Sequence, residues 1–140
     1  MTRFLVDNSV LARLTRPQIH QSLSSLATQG HELCSSMVSL AEAGYSARTT
    51  EDHDNLVDRI RYGWLYLESG PMVDALALDI RRSLHIQETN RAVGAMDVLL
   101  AATAMAHHAV VLHYDADFDL ISTAHAAFRA QWAVPRGSID

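Results

Sequence analysis

The sequence predicts an α/β fold in which a short parallel sheet is covered on both faces by helices. Three observations lead there. Brief apolar runs rich in strand-forming residues alternate with segments of helical periodicity. Aspartates follow two of those runs, Asp7 after Val6 and Asp115 shortly after Leu112. Finally, 49% of the 140 residues are hydrophobic, enough for one unit, residues 1–140, to bury a sizeable core. Strands separated by helices pair in parallel, and such sheets carry their working groups at the carboxyl ends of the strands.

Phe4-Leu5-Val6 reads as a buried strand stopping at Asp7, and Ser9 to Leu14 as a helix ending before Pro17. Pro17 suits the first turn of a second helix that Gly30 closes after Gln29. Glu32 to Ser35 fits a short strand. Ser36 then caps a helix with an apolar stripe of Met37, Leu40, Ala41, Gly44 and Tyr45, which leaves Glu42 at the stripe's edge. Thr49 or Thr50 caps a fourth helix, acidic in its first turn, with Leu56, Ile60 and Leu67 along one side and an end near Gly70-Pro71. Val73 to Ile86 repeats the helical pattern, with Arg81 and Arg82 turned from its apolar face. Met96 to Met105 is apolar nearly all round, the mark of a buried central helix. Val110 to Leu112 is a β-branched strand, Gln131 to Val134 a last one, and the residues from Arg136 onward a loose tail.

All eleven basic residues are arginine, so mechanisms needing a lysine base, Schiff base or phosphate clamp are excluded. A net charge of -5 argues against broad adhesion to DNA, which draws on many neutralised phosphates. Local pairs such as Arg13 with Arg16, or Arg59 with Arg61, remain available to backbone phosphates. The single cysteine, Cys34, excludes an internal disulfide and fits a reducing compartment, and no apolar run is long enough to span a membrane. A cytoplasmic protein is the expectation.

Taken singly, the acidic residues have ordinary explanations. Asp7 and Asp97 suit helix caps, and Asp115 and Asp117 suit a turn. Glu42 does not, because it lies in a second turn among apolar neighbours that make an unpaired charge costly. Two strand ends and two helices each offer a carboxylate, and a cluster of them needs a cation; oxygen-only ligands favour Mg²⁺ or Mn²⁺ over zinc. Rival sites fail on their required residues. Asp115-Ala116-Asp117-Phe118-Asp119 opens like a calcium-binding loop, but Leu120 replaces its turn glycine and Ala126 its closing glutamate. An Asp-x-Asp phosphatase would carry that motif after its first strand rather than near the end of the chain. The chain has no glycine-rich phosphate loop, no Gly-x-Ser-x-Gly elbow and no His-Glu-x-x-His pair, and most of its eight histidines, a set that includes His107, His108, His113 and His125, read as surface or satisfied structural residues.

Four segments carry a resemblance. Phe4-Leu5-Val6-Asp7-Asn8-Ser9-Val10, Ser39-Leu40-Ala41-Glu42, Ala95-Met96-Asp97-Val98-Leu99-Leu100-Ala101-Ala102-Thr103-Ala104, and Val111 to Ile121 around Asp115 are similar to the successive motifs of PIN domains, in particular the VapC-type toxins of toxin-antitoxin pairs. Asn8 replaces the threonine common there, and Ser9 keeps a supporting hydroxyl. The resemblance implies a three-layer PIN-like fold and a Mg²⁺- or Mn²⁺-dependent endoribonuclease leaving 5′-phosphate and 3′-hydroxyl ends. It implies Asp7, Glu42, Asp97 and Asp115 as catalytic carboxylates. Asp7 and Asp97 would hold the principal metal directly and Glu42 and Asp115 through water, with Asp117 assisting a second ion. A homodimer and a small antitoxin are the implied partners, and the sequence itself offers the antitoxin a surface, since Tyr45, Leu56, Ile60, Trp64 and Leu67 are more apolar and aromatic surface than two adjoining helices easily bury. A stand-alone RNA-processing nuclease and a catalytically silent PIN-like binding module are the alternatives.

Overall fold

A computed structural model describes residues 1–140. Strand β1 (Arg3–Val6) leads through α1 (Asn8–Leu11) and α2 (Pro17–Thr28) to β2 (Glu32–Ser36). Helices α3 (Met37–Tyr45) and α4 (Thr50–Gly63) precede β3 (Leu65–Leu67), and α5 (Pro71–Ile86) and α6 (Ala95–Ala106) precede β4 (Val110–His113). Helix α7 (Asp117–Ala124) and β5 (Ala130–Trp132) complete the chain. The five strands are all parallel, in the order β3-β2-β1-β4-β5.

That order creates the site. From β1 the chain steps outward through β2 to β3, then returns to place β4 on the other side of β1 and steps outward again to β5. The connections leaving β1 and β4 therefore diverge at the carboxyl ends of two adjacent strands, the crevice where open parallel sheets bind ligands. Phe4 pairs with Val110 and Val6 with Leu112, so Asp7 and Asp115 emerge at the same edge of the sheet.

Strand alternation separates two cores. Leu5, Cys34 and Val111 face one side and pack under α5, α6 and α7, where Ile80, Leu84, Leu100 and Phe118 are almost wholly buried. Phe4, Val6, Val110 and Leu112 face the other and pack with Val10, Ile19, Leu40 and Ile60 of α1, α2, α3 and α4. Burying each such aliphatic side chain contributes roughly 1.5–3 kcal/mol.

Five sequence expectations are corrected. The fourth helix stops at Gly63, because Trp64 is already extended, and Leu65–Leu67 forms a strand pairing with Cys34–Ser36. The buried face of α3 is Val38, Ser39, Leu40 and Ala43, whereas Met37 and Tyr45 are exposed. The first helix is shorter than expected, and the last strand begins and ends earlier. The tail is not loose. The Tyr114 hydroxyl accepts the amides of Gly137 and Ile139 at 3.1 Å each and donates to the Ile139 carbonyl. Asp140 pairs with Arg16 at 2.6 Å, and its main-chain oxygen accepts from Arg13 Nε at 2.9 Å.

Candidate active site

Each acidic side chain reaches the crevice by a local device. Asp7 caps α1, its Oδ2 accepting the Ser9 amide at 2.9 Å, and the Ser9 hydroxyl accepts the Tyr114 amide at 2.8 Å, tying the start of α1 to the end of β4. Ser36 and Ser39 form a reciprocal capping box that fixes the first turn of α3 and sets Glu42 one turn further on. Asp97 sits in the first turn of α6, whose amide dipoles favour a carboxylate. Asp115 lies just beyond β4, and its Oδ1 accepts the Asp117 amide at 3.0 Å, which starts α7.

Carboxylate oxygens of Asp97, Asp115 and Asp117 lie within 4.8 Å of one another. Burial raises the Asp97 carboxyl to about 7, reinforced by the charges of Asp7, Asp115, Asp117 and Glu42. Glu42 is pushed up by burial and then by Asp7 and Asp115. Asp117 is raised by burial and then by Asp115. Asp7 is raised chiefly by burial, against hydrogen bonds from Ser9 and Asn8 that favour its charged form. The two ion pairs of the molecule, Arg16 with Asp140 and His53 with Asp54, involve none of these five groups. An all-oxygen donor set whose members repel one another, without an offsetting protein cation, fits a hard divalent ion.

The sequence matches the model of the PIN domain over residues 4–123. The chain belongs to the PIN-domain family. This PIN domain is 36% identical over 143 residues to Ribonuclease VapC51 of Mycobacterium tuberculosis, an alignment covering 99% of this chain and 98% of the relative. It is 32% identical over 137 residues to Ribonuclease VapC21 of the same species, covering 98% of each. Its fold is similar to that of VapBC2 from Rickettsia felis bound to a promoter DNA fragment. There the TM-score is 0.77 at 15% identity, covering 94% of this chain and 98% of that one. VapBC-1 from nontypeable Haemophilus influenzae gives a TM-score of 0.77 at 14% identity with the same coverage.

Within this PIN domain the expected carboxylates converge. Asp117, expected only to assist, has a carboxylate oxygen within 4.8 Å of those of Asp97 and Asp115, and Asp7, the cap of α1, leads the neighbouring charges that act on Asp97. Asp119 is held away by Trp132, whose Nε1 donates to its Oδ1 at 3.1 Å. Arg13 and Arg16, considered for phosphates, are engaged by Asp140. Of the residues expected at a partner surface, Tyr45 is 92% exposed, but Leu56 and Trp64 are half-buried against the core and Ile60 lies inside it. Ile60 is therefore corrected to a core residue, because α4 closes against α3 along that side. His113, considered only as one of eight histidines, has a definite place beside the site. It is fully buried, stacked near Phe118 and Trp132, and the only hint was a polar residue closing an apolar strand.

Proposed function

We propose that this PIN domain is a metal-dependent endoribonuclease that hydrolyses RNA phosphodiester bonds and acts as the toxin of a toxin-antitoxin pair. The observation carrying the reading is the convergence of Asp7, Glu42, Asp97, Asp115 and Asp117 where β1 and β4 end side by side. The kinship to Ribonuclease VapC51 supports RNA as the substrate.

Asp97, Asp115 and Asp117, together with Asp7, are the residues we assign to holding Mg²⁺ or Mn²⁺, with Glu42 adding negative charge to the cluster. When bound, such an ion supplies a Lewis acid for the scissile phosphate and activates water for in-line attack. The chain's own part is to fix the carboxylates: Ser9 orients Asp7, the capping box orients α3, and the Asp115 turn holds Asp117. A silent binding module would leave five mutually repelling carboxylates without a purpose.

The antitoxin belongs to the same proposal. Between α3 and α4 runs a groove of about 290 Å³ lined by Met37, Leu40, Ala41, His53, Val57, Arg61 and Tyr66, and its mixed apolar and basic lining suits an amphipathic segment of a small partner. A homodimer is supported by α5, which leaves Met72, Leu78 and Ile86 exposed. No helix is long and apolar enough to cross a membrane, and the cytoplasm, where RNA is abundant, is the proposed compartment.

The test is cleavage of total RNA by the purified protein with Mg²⁺ or Mn²⁺. Cleavage is expected with either ion and none in EDTA. Activity that survives thorough chelation, or that zinc supports best, would sink the hard-metal reading.

A further inference from the structure

Beside the carboxylates opens a cleft of about 420 Å³ lined by Asn8, Ala41, Glu42, Tyr45, Ser46 and Met96. Three separate elements bring it to the reacting centre. Asn8 follows Asp7, Met96 precedes Asp97, and Glu42 belongs to both the cleft and the acidic cluster. Its walls are unlike the cluster. Tyr45 ends α3 with its side chain almost fully in solvent, 92% exposed, and Met96 at the start of α6 is 41% exposed. Ala41 lies one turn before Tyr45 on the same face of the helix and is small enough to leave the space open. The aromatic pairs of the molecule are formed by Phe4, His31, His113, Tyr114, Phe118, Phe128 and Trp132, so the Tyr45 ring is without a stacking partner.

We infer that this cleft is a nucleobase subsite, in which the base of a nucleotide flanking the scissile phosphate stacks on Tyr45 against Met96 while Asn8 and Ser46 face its polar edge. The inference rests on the ribonuclease reading and names the part of the substrate that the site holds. A phosphate poised at the carboxylates brings its attached nucleosides within reach of the adjoining space, and the cleft has the volume of a small-molecule site, which runs roughly 300–1,000 Å³. A flat, apolar-faced, polar-edged ligand matches a tyrosine, a thioether, an amide and a hydroxyl. Aromatic stacking accepts any base, whereas an amide discriminates among edges, so Tyr45 contributes affinity and Asn8 contributes preference. An antitoxin covering α3 would also bury Tyr45, and blocking the subsite is then one way in which it inhibits.

The experiment uses the full chain with Mn²⁺ and a randomised pool of short oligoribonucleotides, with sequencing of the cut ends and kinetics on the best-cleaved sequence. Tyr45→Ala is expected to raise KM roughly tenfold to hundredfold, the worth of one stacked base, while Mn²⁺ affinity and melting temperature stay those of the parent. Tyr45→Phe and Tyr45→Trp keep the parent KM within about threefold. Replacing nucleotides of the substrate one at a time by abasic residues should find one position beside the cut whose loss is costly for the parent and nearly free for Tyr45→Ala. Asn8→Ala should flatten the base preference at that position by raising KM for the preferred base toward that for the others. A Tyr45→Ala variant that cleaves as the parent does, or that loses only its affinity for a protein inhibitor, overturns the subsite while leaving the ribonuclease reading intact. A parent protein that cleaves no member of the pool and no cellular RNA overturns both.

Discussion

The imidazole of His113 accepts the backbone amide of Asp115 through Nδ1 at 3.2 Å, so a wholly buried ring holds the turn that carries a carboxylate of the acidic cluster. Accepting there leaves the proton on Nε2, which is buried without a partner, and burial holds the imidazole below its usual pKa. Replacing His113 by Phe preserves the packing on Phe118 and Trp132 and removes an unpaired polar group, at the loss of one hydrogen bond. We expect His113→Phe to stay folded, with Mn²⁺ affinity lowered roughly tenfold or more because the Asp115 turn is freed. His113→Asn, which offers an acceptor oxygen near the position of Nδ1, should recover part of that affinity. Manganese titration alongside thermal melting separates the two effects, and unchanged affinity in His113→Phe would show that the turn holds itself.

Asp97 links charge to stability. Its folded pKa of about 7 stands above the ordinary 3.8, so its contribution is fully present below about 3.8 and is lost as pH rises through about 7. Metal-free Asp97→Asn should therefore melt above the parent at about pH 8, by roughly 3–10 °C, and the gap should narrow as the pH falls toward about 5. Saturating Mn²⁺ should reverse the order, since only the parent binds the ion tightly. A gap constant across pH would mean that Asp97 ionises normally.

Among the acidic residues, Asp7→Asn and Asp97→Asn should each reduce RNA cleavage to background with the fold retained, as judged by circular dichroism. Asp115→Asn and Asp117→Asn should both weaken Mn²⁺ binding, because their oxygens stand in the same trio. Asp119→Asn should change little, since an amide oxygen still accepts from Trp132 Nε1. Equal damage from Asp119→Asn and Asp115→Asn, both folded, would refute this assignment.

Ile60 and Tyr66 distinguish core from surface on the α3–α4 side. Ile60 is 2% exposed, so Ile60→Asp buries a charge without a partner and should prevent stable folding. Tyr66 is 37% exposed and lines the groove, so Tyr66→Asp should leave the melting temperature nearly unchanged while weakening the antitoxin complex in co-purification. Expressed alone the protein should arrest growth, and co-expression with its antitoxin should restore it.

Tyr114 can be probed through the tail. Its hydroxyl receives two amides and meets one carbonyl of residues 137–139, so Tyr114→Phe should release the C-terminus to limited proteolysis while sparing the sheet. Protection equal to the parent would show that the Asp140 contacts to Arg13 and Arg16 hold the tail unaided.

What the sequence determined by itself is the part written in local pattern. Period-two and period-3.6 apolar spacing established alternating strands and helices, strand-end position marked Asp7 and Asp115, a charge that capping does not explain marked Glu42, and the likeness to PIN-domain motifs added Asp97. Tertiary structure decided whatever depends on distances between remote segments. Leu65–Leu67 is too short to show a period and becomes a strand only because Cys34–Ser36 offers it an edge. Asp117 joins Asp97 because the Asp115 turn redirects it, while the equally acidic Asp119 is drawn off by Trp132. Ile60 and Tyr45, both apolar on adjoining helices, part ways because α4 closes over one and leaves the other in water. Periodicity states that a face is apolar; only packing decides which of its residues are covered.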